Sequence, residues 1–233
     1  MPHTLLLRFA APLQSWGVSS RFSLRDTGKE PSKSGVIGLL CAALGLARDE
    51  ANTNNPQFAE LLTLLMGVRV NREGVLQKDY HTAQNIAKAD GGTKETELST
   101  RHYLADADFL VGLESENLQL LQTLQAALER PCWQLFLGRK AFVPAVPIHF
   151  PNGLQTGLAL REALQEVVLT DFVVEAKDLR IIIEDAGGTE TRHDVPLCFA
   201  TRRFLPRRVK TDFIRLHEGG SEDEGNLLIA PVA

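Results

Sequence analysis

The chain lacks most of the features that announce a familiar chemistry. Aromatic residues make up 6% of it, with two tryptophans and two tyrosines. Its three cysteines, Cys41, Cys132 and Cys198, lie far apart and form no CxxC pair. An odd, scattered set argues against a disulfide framework and against a zinc site. No apolar run reaches the ~18 residues of a membrane span; the longest, Gly35 to Leu46, is interrupted by glycines. The first residues carry no basic n-region, so a cytoplasmic protein without a membrane partner is expected. Walker, GxGxxG, HExxH and GxSxG patterns are missing too, and no metal or cofactor is expected.

What is present is the composition of an ordinary globular chain. Its 233 residues are 44% apolar and 23% charged, enough for one large domain or two small ones. The net charge of −4 hides a segregation. Residues 1–48 hold six basic side chains, Arg8, Arg21, Arg25, Lys29, Lys33 and Arg48, against two acidic ones. Residues 192–217 hold seven, among them Arg192, Arg202, Arg203 and Arg207, against two. The stretch Glu218 to Glu224 then carries four acids. Either the arginines form a basic face for a polyanion, or they sit on the solvated side of long strands.

Periodicity places a buried strand at Thr4–Ala11 and a long loop at Pro12–Lys33. Ser34 is expected to cap a buried helix over 35–46, and Pro56 to open a second one reaching Met66. Val68–Asn71 and Gly74–Tyr80 read as a hairpin. The polar stretch 81–100, with Gly91-Gly92 at its middle, is either disordered or a protruding arm. A strand over 101–113 and an amphipathic helix over 117–130 follow. This order is a variant of the ferredoxin-like βαββαβ unit with an inserted arm. After residue 145 the chain reads as β-rich, with a short helix near 158–168 and strands that include Phe172-Val-Val-Glu175, 180–184, 195–200 and 209–217.

Two clusters flank the arm, Asp79-Tyr80-His81-Thr82 and Arg101-His102-Tyr103. If the arm is a paired protrusion, its roots gather imidazoles, phenols and a guanidinium. Such a set suits RNA, since aromatic rings stack on unpaired bases and Arg takes phosphate. It equally suits metal-free RNA cleavage, or simple core packing of both tyrosines.

Five ordered motifs then carry a resemblance: Leu13-Gln-Ser-Trp-Gly17, Pro31-Ser-Lys-Ser-Gly35-Val-Ile-Gly-Leu-Leu, Asp79-Tyr-His-Thr82, Tyr103-Leu-Ala-Asp-Ala-Asp-Phe109 and Leu137-Gly-Arg-Lys140. Over residues 4 to about 142 the chain resembles the CasD-type RAMP subunits of type I-E CRISPR Cascade complexes. A weaker echo lies at Gly219-Gly220. The resemblance implies an α+β, ferredoxin-like (RRM-like) RAMP domain over 1–145 with a β-hairpin thumb at about 83–99. Residues 146–233 would form a reduced, β-rich region packed on it.

It also implies a non-catalytic antiviral subunit that holds the 5′ handle of the crRNA and contacts the large and backbone subunits of Cascade. The positions it marks as RNA-binding are Gln14, Trp16, Lys33, Ser34, Tyr80, His81, Thr82, Arg101, Tyr103, Arg139 and Lys140, and charge adds Arg25. His102 departs from the type I-E pattern. Type I-C relatives cleave precursor RNA with a Tyr and a basic–His pair, so Tyr80, Arg101 and His102 form an alternative catalytic set for a metal-independent endoribonuclease.

Overall fold

The computed structural model describes residues 1–18, 23–167, 169 and 178–215. In its first half the chain forms β1 (His3–Ala10), the two-residue strands β2 (Leu13–Gln14) and β3 (Leu24–Arg25), α1 (Lys33–Leu44) and α2 (Pro56–Leu62). Then come β4 (Leu65–Arg72), β5 (Val75–Ala87), β6 (Thr93–Ala105), β7 (Asp108–Ser115) and α3 (Leu118–Glu129). The remainder supplies β8 (Leu154–Thr156), α4 (Leu160–Glu166), β9 (Leu179–Glu184), β10 (Glu190–Cys198) and β11 (Arg203–Ile214).

Seven strands make one sheet in the order β10-β11-β9-β4-β7-β1-β8. From its middle to the β8 edge, β4, β7, β1 and β8 pair antiparallel throughout. Because side chains alternate along a strand, β1 feeds both faces. Leu5, Leu7 and Phe9 join the large core under α1 and α3, while Leu6 packs with Leu110 against Leu160 and Leu164 of α4. The strands after residue 154 extend this same sheet at both edges.

The helices follow their caps. Asn55 and Asn117 accept backbone N–H groups at the starts of α2 and α3. Ser32, rather than Ser34, caps α1 by accepting from Gly35 N, and α1 ends at Gly45 in the left-handed region. The fully buried Arg69 closes the end of α4, donating to the carbonyls of Leu164 and Val167 at 2.7 Å. A chain of contacts behind it links Asn71, Asp108 and Arg8.

Three expectations are corrected. Val68–Asn71 and Gly74–Tyr80 do not pair: β4 lies between β7 and β9, and β5 pairs with β6. The reason is burial, since Met66–Asn71 is enclosed on both faces whereas 75–80 is exposed. The expected strand over 101–113 is two strands, broken where Asp106 takes φ 56°. The second helix stops at Leu62, because Met66 belongs to the buried run of β4. The strand expected at Phe172–Glu175, the acidic stretch 218–224 and Gly219-Gly220 lie outside the described residues.

The polar stretch forms a ribbon. β5 and β6 pair from Val75↔Ala105 to Ala87↔Thr93 and are joined by a turn in which Lys88 N donates to Gly92 O. At its root β6 also pairs, along its edge away from β5, with β2 at Leu104–Ala105 and with β3 at Thr100–Arg101, so the loop after β1 is stitched to the ribbon.

Candidate nucleic-acid interface

The loop after β1 is a clamp. Gln14 is fully buried, and its amide nitrogen donates to the carbonyls of Phe9 and Ala107 at 2.9 and 2.8 Å. Its amide oxygen accepts from Trp16 Nε1 at 3.1 Å. Trp16, 2% exposed, stacks on Phe9 with ring centroids 5.4 Å apart. A side chain at Gly35 would meet the Trp16 ring at 2.9 Å, which explains a glycine in the first turn of α1. Gln14 and Trp16 are thus buried and bonded within the fold, although Trp16 still lines the edge of a neighbouring groove.

The same holds for Lys33. Its Nζ lies 3.0 and 2.9 Å from the two carboxylate oxygens of Glu184, and its backbone N–H donates to Asp194 at 2.7 Å. Burial pushes the Lys33 pKa below its ordinary value, and Glu184 works against that shift. Asp194 and the Ser32 hydroxyl thus already accept the Lys33 and Gly35 N–H groups of the first turn.

The cations that remain available come together elsewhere. Arg25 on β3 stands beside Arg101 on β6 in parallel register. Arg139 reaches the same place from the turn after Leu137, donating to the His102 carbonyl at 2.8 Å. That turn is tight: Ser15 N donates to Leu137 O, and a Cβ at Gly138 would fall 1.7 Å from Ser15 O. Gly138 has φ 93°, so both backbone geometry and space demand glycine here. The Arg139 guanidinium lies 5.4 Å from the Phe142 ring centre, and Tyr103 packs on the other residue of that pair, Phe142 itself, at 6.0 Å. Burial lowers the pKa of Arg139, and the charge of Arg101 pushes the same way, as does that of Arg25.

Around these residues runs an open groove of about 550 Å³, also lined by Ser34, Arg48, Arg202, His193 and Phe204. The two basic clusters of the sequence therefore meet in space. The arginines of the fold differ in fate: Arg207 is paired with Asp194, and Arg180 and Arg192 both hold Glu30, whereas no ion pair ties down Arg25, Arg101 or Arg139 among the described residues. Mutually repelling guanidinium groups beside an open groove are matched by a polyanion. Sequence reasoning did not single out Arg48 and Arg202 as site residues; charge counting reached them, but nothing local marks which arginines stay unpaired.

The ribbon separates the alternative catalytic set. Side chains of directly paired residues share a face, so Asp79, His81, Ser99, Arg101 and Tyr103 lie on one side. Lys78, Tyr80, Thr82 and His102 lie on the other. Arg101 and His102 thus point to opposite faces, and Tyr80, Arg101 and His102 do not converge on one reacting atom. Tyr80 is 67% exposed and Thr82 is exposed, while His81 is half-buried with Nδ1 3.9 Å from Asp79. Lys140 is directed away from Arg139, into a second groove beside Trp133. Among the described residues no group of three His, Cys, Asp or Glu could hold a metal ion, and no helix is long and apolar enough to cross a membrane.

Known proteins resemble this chain in sequence and fold. The Escherichia coli K12 protein named CRISPR system Cascade subunit CasD is 35% identical over 150 residues, covering 59% of this chain and 65% of that relative. The aligned part thus spans a little under two thirds of the relative's length. A solved chain described as a Cas protein is 39% identical, with a TM-score of 0.72 over 91% of this chain and 95% of its own. Another, from a CRISPR RNA-guided surveillance complex, is 33% identical, with a TM-score of 0.73 over 91% of this chain and 90% of its own. The family model for CRISPR-associated protein (Cas_Cas5) matches residues 4–210, and the chain belongs to that family.

Proposed function

We propose that this chain is the RNA-holding subunit of a Cascade-type surveillance complex, gripping the 5′ handle of the crRNA without cutting it. The groove of unpaired arginines at the root of the ribbon carries this reading. Arg25, Arg101 and Arg139 take backbone phosphates there, with Ser34 at the groove's floor. Tyr80, His81, Thr82 and Tyr103 contribute at the ribbon, and Lys140 at the neighbouring surface. Gln14, Trp16 and Lys33 serve by holding the loop and helix in place.

The antiparallel order β4-β7-β1-β8, with α1 and α3 on one face, supports a ferredoxin-like unit that takes its last strand, β8, from beyond residue 145. The β5–β6 ribbon is its thumb, crossing the RNA where handle passes into spacer. The large and backbone subunits would dock around it, in the cytoplasm. The relative from E. coli and the solved surveillance complex support the same assignment, since their names place them in such assemblies.

The test uses labelled repeat RNA with the full chain in EDTA, sampled on native and denaturing gels. The reading predicts a shifted, intact RNA. Defined cleavage in the repeat, lost in His102→Ala, would replace it with a processing nuclease.

A further inference from the structure

A second cavity opens beside the arginine groove, and its lining is of a different kind. It measures about 470 Å³, within the ~300–1,000 Å³ range of small-ligand sites. Its floor is the small-residue side of α1, with Gly38, Cys41 and Ala42, and its walls are the rings of Trp133, Phe136 and Phe199. Trp133 is 46% exposed, an unusual cost for the largest apolar side chain. Its position is fixed nonetheless: Trp133 N donates to Ala42 O at 3.1 Å and Cys132 N to Ala43 O at 2.9 Å. Phe199 is held edge-on by Phe58 with centroids 5.8 Å apart.

Two cations, Arg48 and Lys140, join the lining, and among the described residues no carboxylate shares it. Arg48 and Phe199 line this cavity and the arginine groove alike, so the two are one continuous surface. Arg48 is anchored where they meet, its guanidinium donating to the Phe199 carbonyl at 3.0 Å. A polyanion leaving the groove at Arg48 passes directly over an aromatic slot.

We infer that the slot between Trp133 and Phe199 receives one unstacked base of the single-stranded RNA lying in the arginine groove, while Arg48 and Lys140 take the phosphates on either side of it. The inference rests on the RNA-holding reading and extends it to a site outside the matched motifs. Aromatic faces accept any base, so the slot fixes the register of the strand without reading its sequence. The rim cations and the shared wall favour RNA over an apolar protein side chain, which would need neither.

Indole emission gives a direct readout, because the other tryptophan, Trp16, is 2% exposed and stacked on Phe9. Short single-stranded oligoadenylate is titrated into the full chain, following both tryptophan emission and fluorescence anisotropy of the labelled RNA. Binding is expected to quench emission, and Trp133→Phe to abolish the quench while weakening binding less than Trp133→Ala does. Trp133→Ala should weaken binding about tenfold, a typical loss for one base–aromatic stack. A single abasic ribose, moved along the oligonucleotide, should cost the wild type a similar factor at one position and cost Trp133→Ala nothing there. Lys140→Ala should lower the salt slope by about one.

RNA binding that depends on Arg101, with no quench and no effect of Trp133→Ala, would overturn the slot and leave the groove standing; the cavity would then fall to a protein partner. No RNA binding at all, with Arg101→Ala indistinguishable from wild type, would remove both readings together.

Discussion

Lys33 Nζ meets both carboxylate oxygens of Glu184, at 3.0 and 2.9 Å, across 151 positions of sequence. The pair joins the start of α1 to β9, with the Lys33 side chain 3% exposed. It makes the second half of the chain part of the scaffold that holds the loop bearing Arg25.

Removing Lys33 leaves Glu184 with Arg207 at 3.6 Å and the Met66 N–H. Lys33→Ala is therefore expected to cost about 1–3 kcal/mol of stability, read by urea unfolding. The salt slope of RNA binding should stay unchanged in any variant that remains folded. A lower slope with full stability would return Lys33 to the phosphate-contacting set.

Trp16 and its hydrogen-bonded neighbour Gln14 lie at the joint between β1, β6 and α1. Trp16→Ala is expected to destabilise the fold by about 3–5 kcal/mol through the cavity it leaves. Loss of RNA binding in a Trp16→Ala protein with wild-type stability would contradict its role as a support.

The far half of the ribbon contributes little to the core, since residues 84–96 are mostly exposed. Replacing 85–95, beyond the Gln84↔Thr96 pair, by a short Asn-Gly turn should leave the melting temperature nearly unchanged. The same variant should lose complex assembly or guide register, measured by co-purification with the other subunits. Full assembly and activity without the tip would remove the thumb from the account.

The three thiols should respond differently to an alkylating reagent. Burial pushes Cys41 up to about 12, from an ordinary 9.0, while hydrogen bonding with Thr201 holds Cys198 below its ordinary value. Mass spectrometry should find Cys198 and the exposed Cys132 labelled before Cys41. Above pH 9.0 the unfolded thiol of residue 41 loses its proton and the folded one keeps it, up to about 12. The unfolded state then binds fewer protons, so this group's contribution lowers stability as pH rises through that window. Cys41→Ala should make the alkaline loss of stability shallower, and an unchanged slope would show that the thiol ionises in the folded chain.

The sequence made the local elements legible and the long-range partners illegible. Leu120, Leu121, Leu124 and Leu128 announce α3 by spacing, and the Lys88–Gly92 turn follows from its glycines. Ser34 looked like the cap of α1 because it precedes the apolar run, yet Ser32 has the extended backbone that a cap requires. Gln14, Trp16 and Lys33 stand in motifs near the groove, and only the fold shows that the motifs are partly supports: Gly35 makes room for Trp16, and Gly138 for Ser15. Strand pairing brings Arg101 beside Arg25, and a ring contact sets Tyr103 against Phe142. His102, adjacent in sequence, was carried to the other face by the two-residue period of β6. The acidic partners of Arg192 and Arg207 are visible in composition, but which arginines they neutralise is a property of the sheet.

The most direct test of the arginine groove is the salt dependence of RNA affinity for the wild type and for Arg25→Ala, Arg101→Ala and the double variant. The account predicts a steep fall of affinity with salt for the wild type. Each single change should lower the slope by about one, and the double change by about two. Slopes equal to that of the wild type in all three variants would mean that the RNA runs elsewhere on the protein, and would contradict the account.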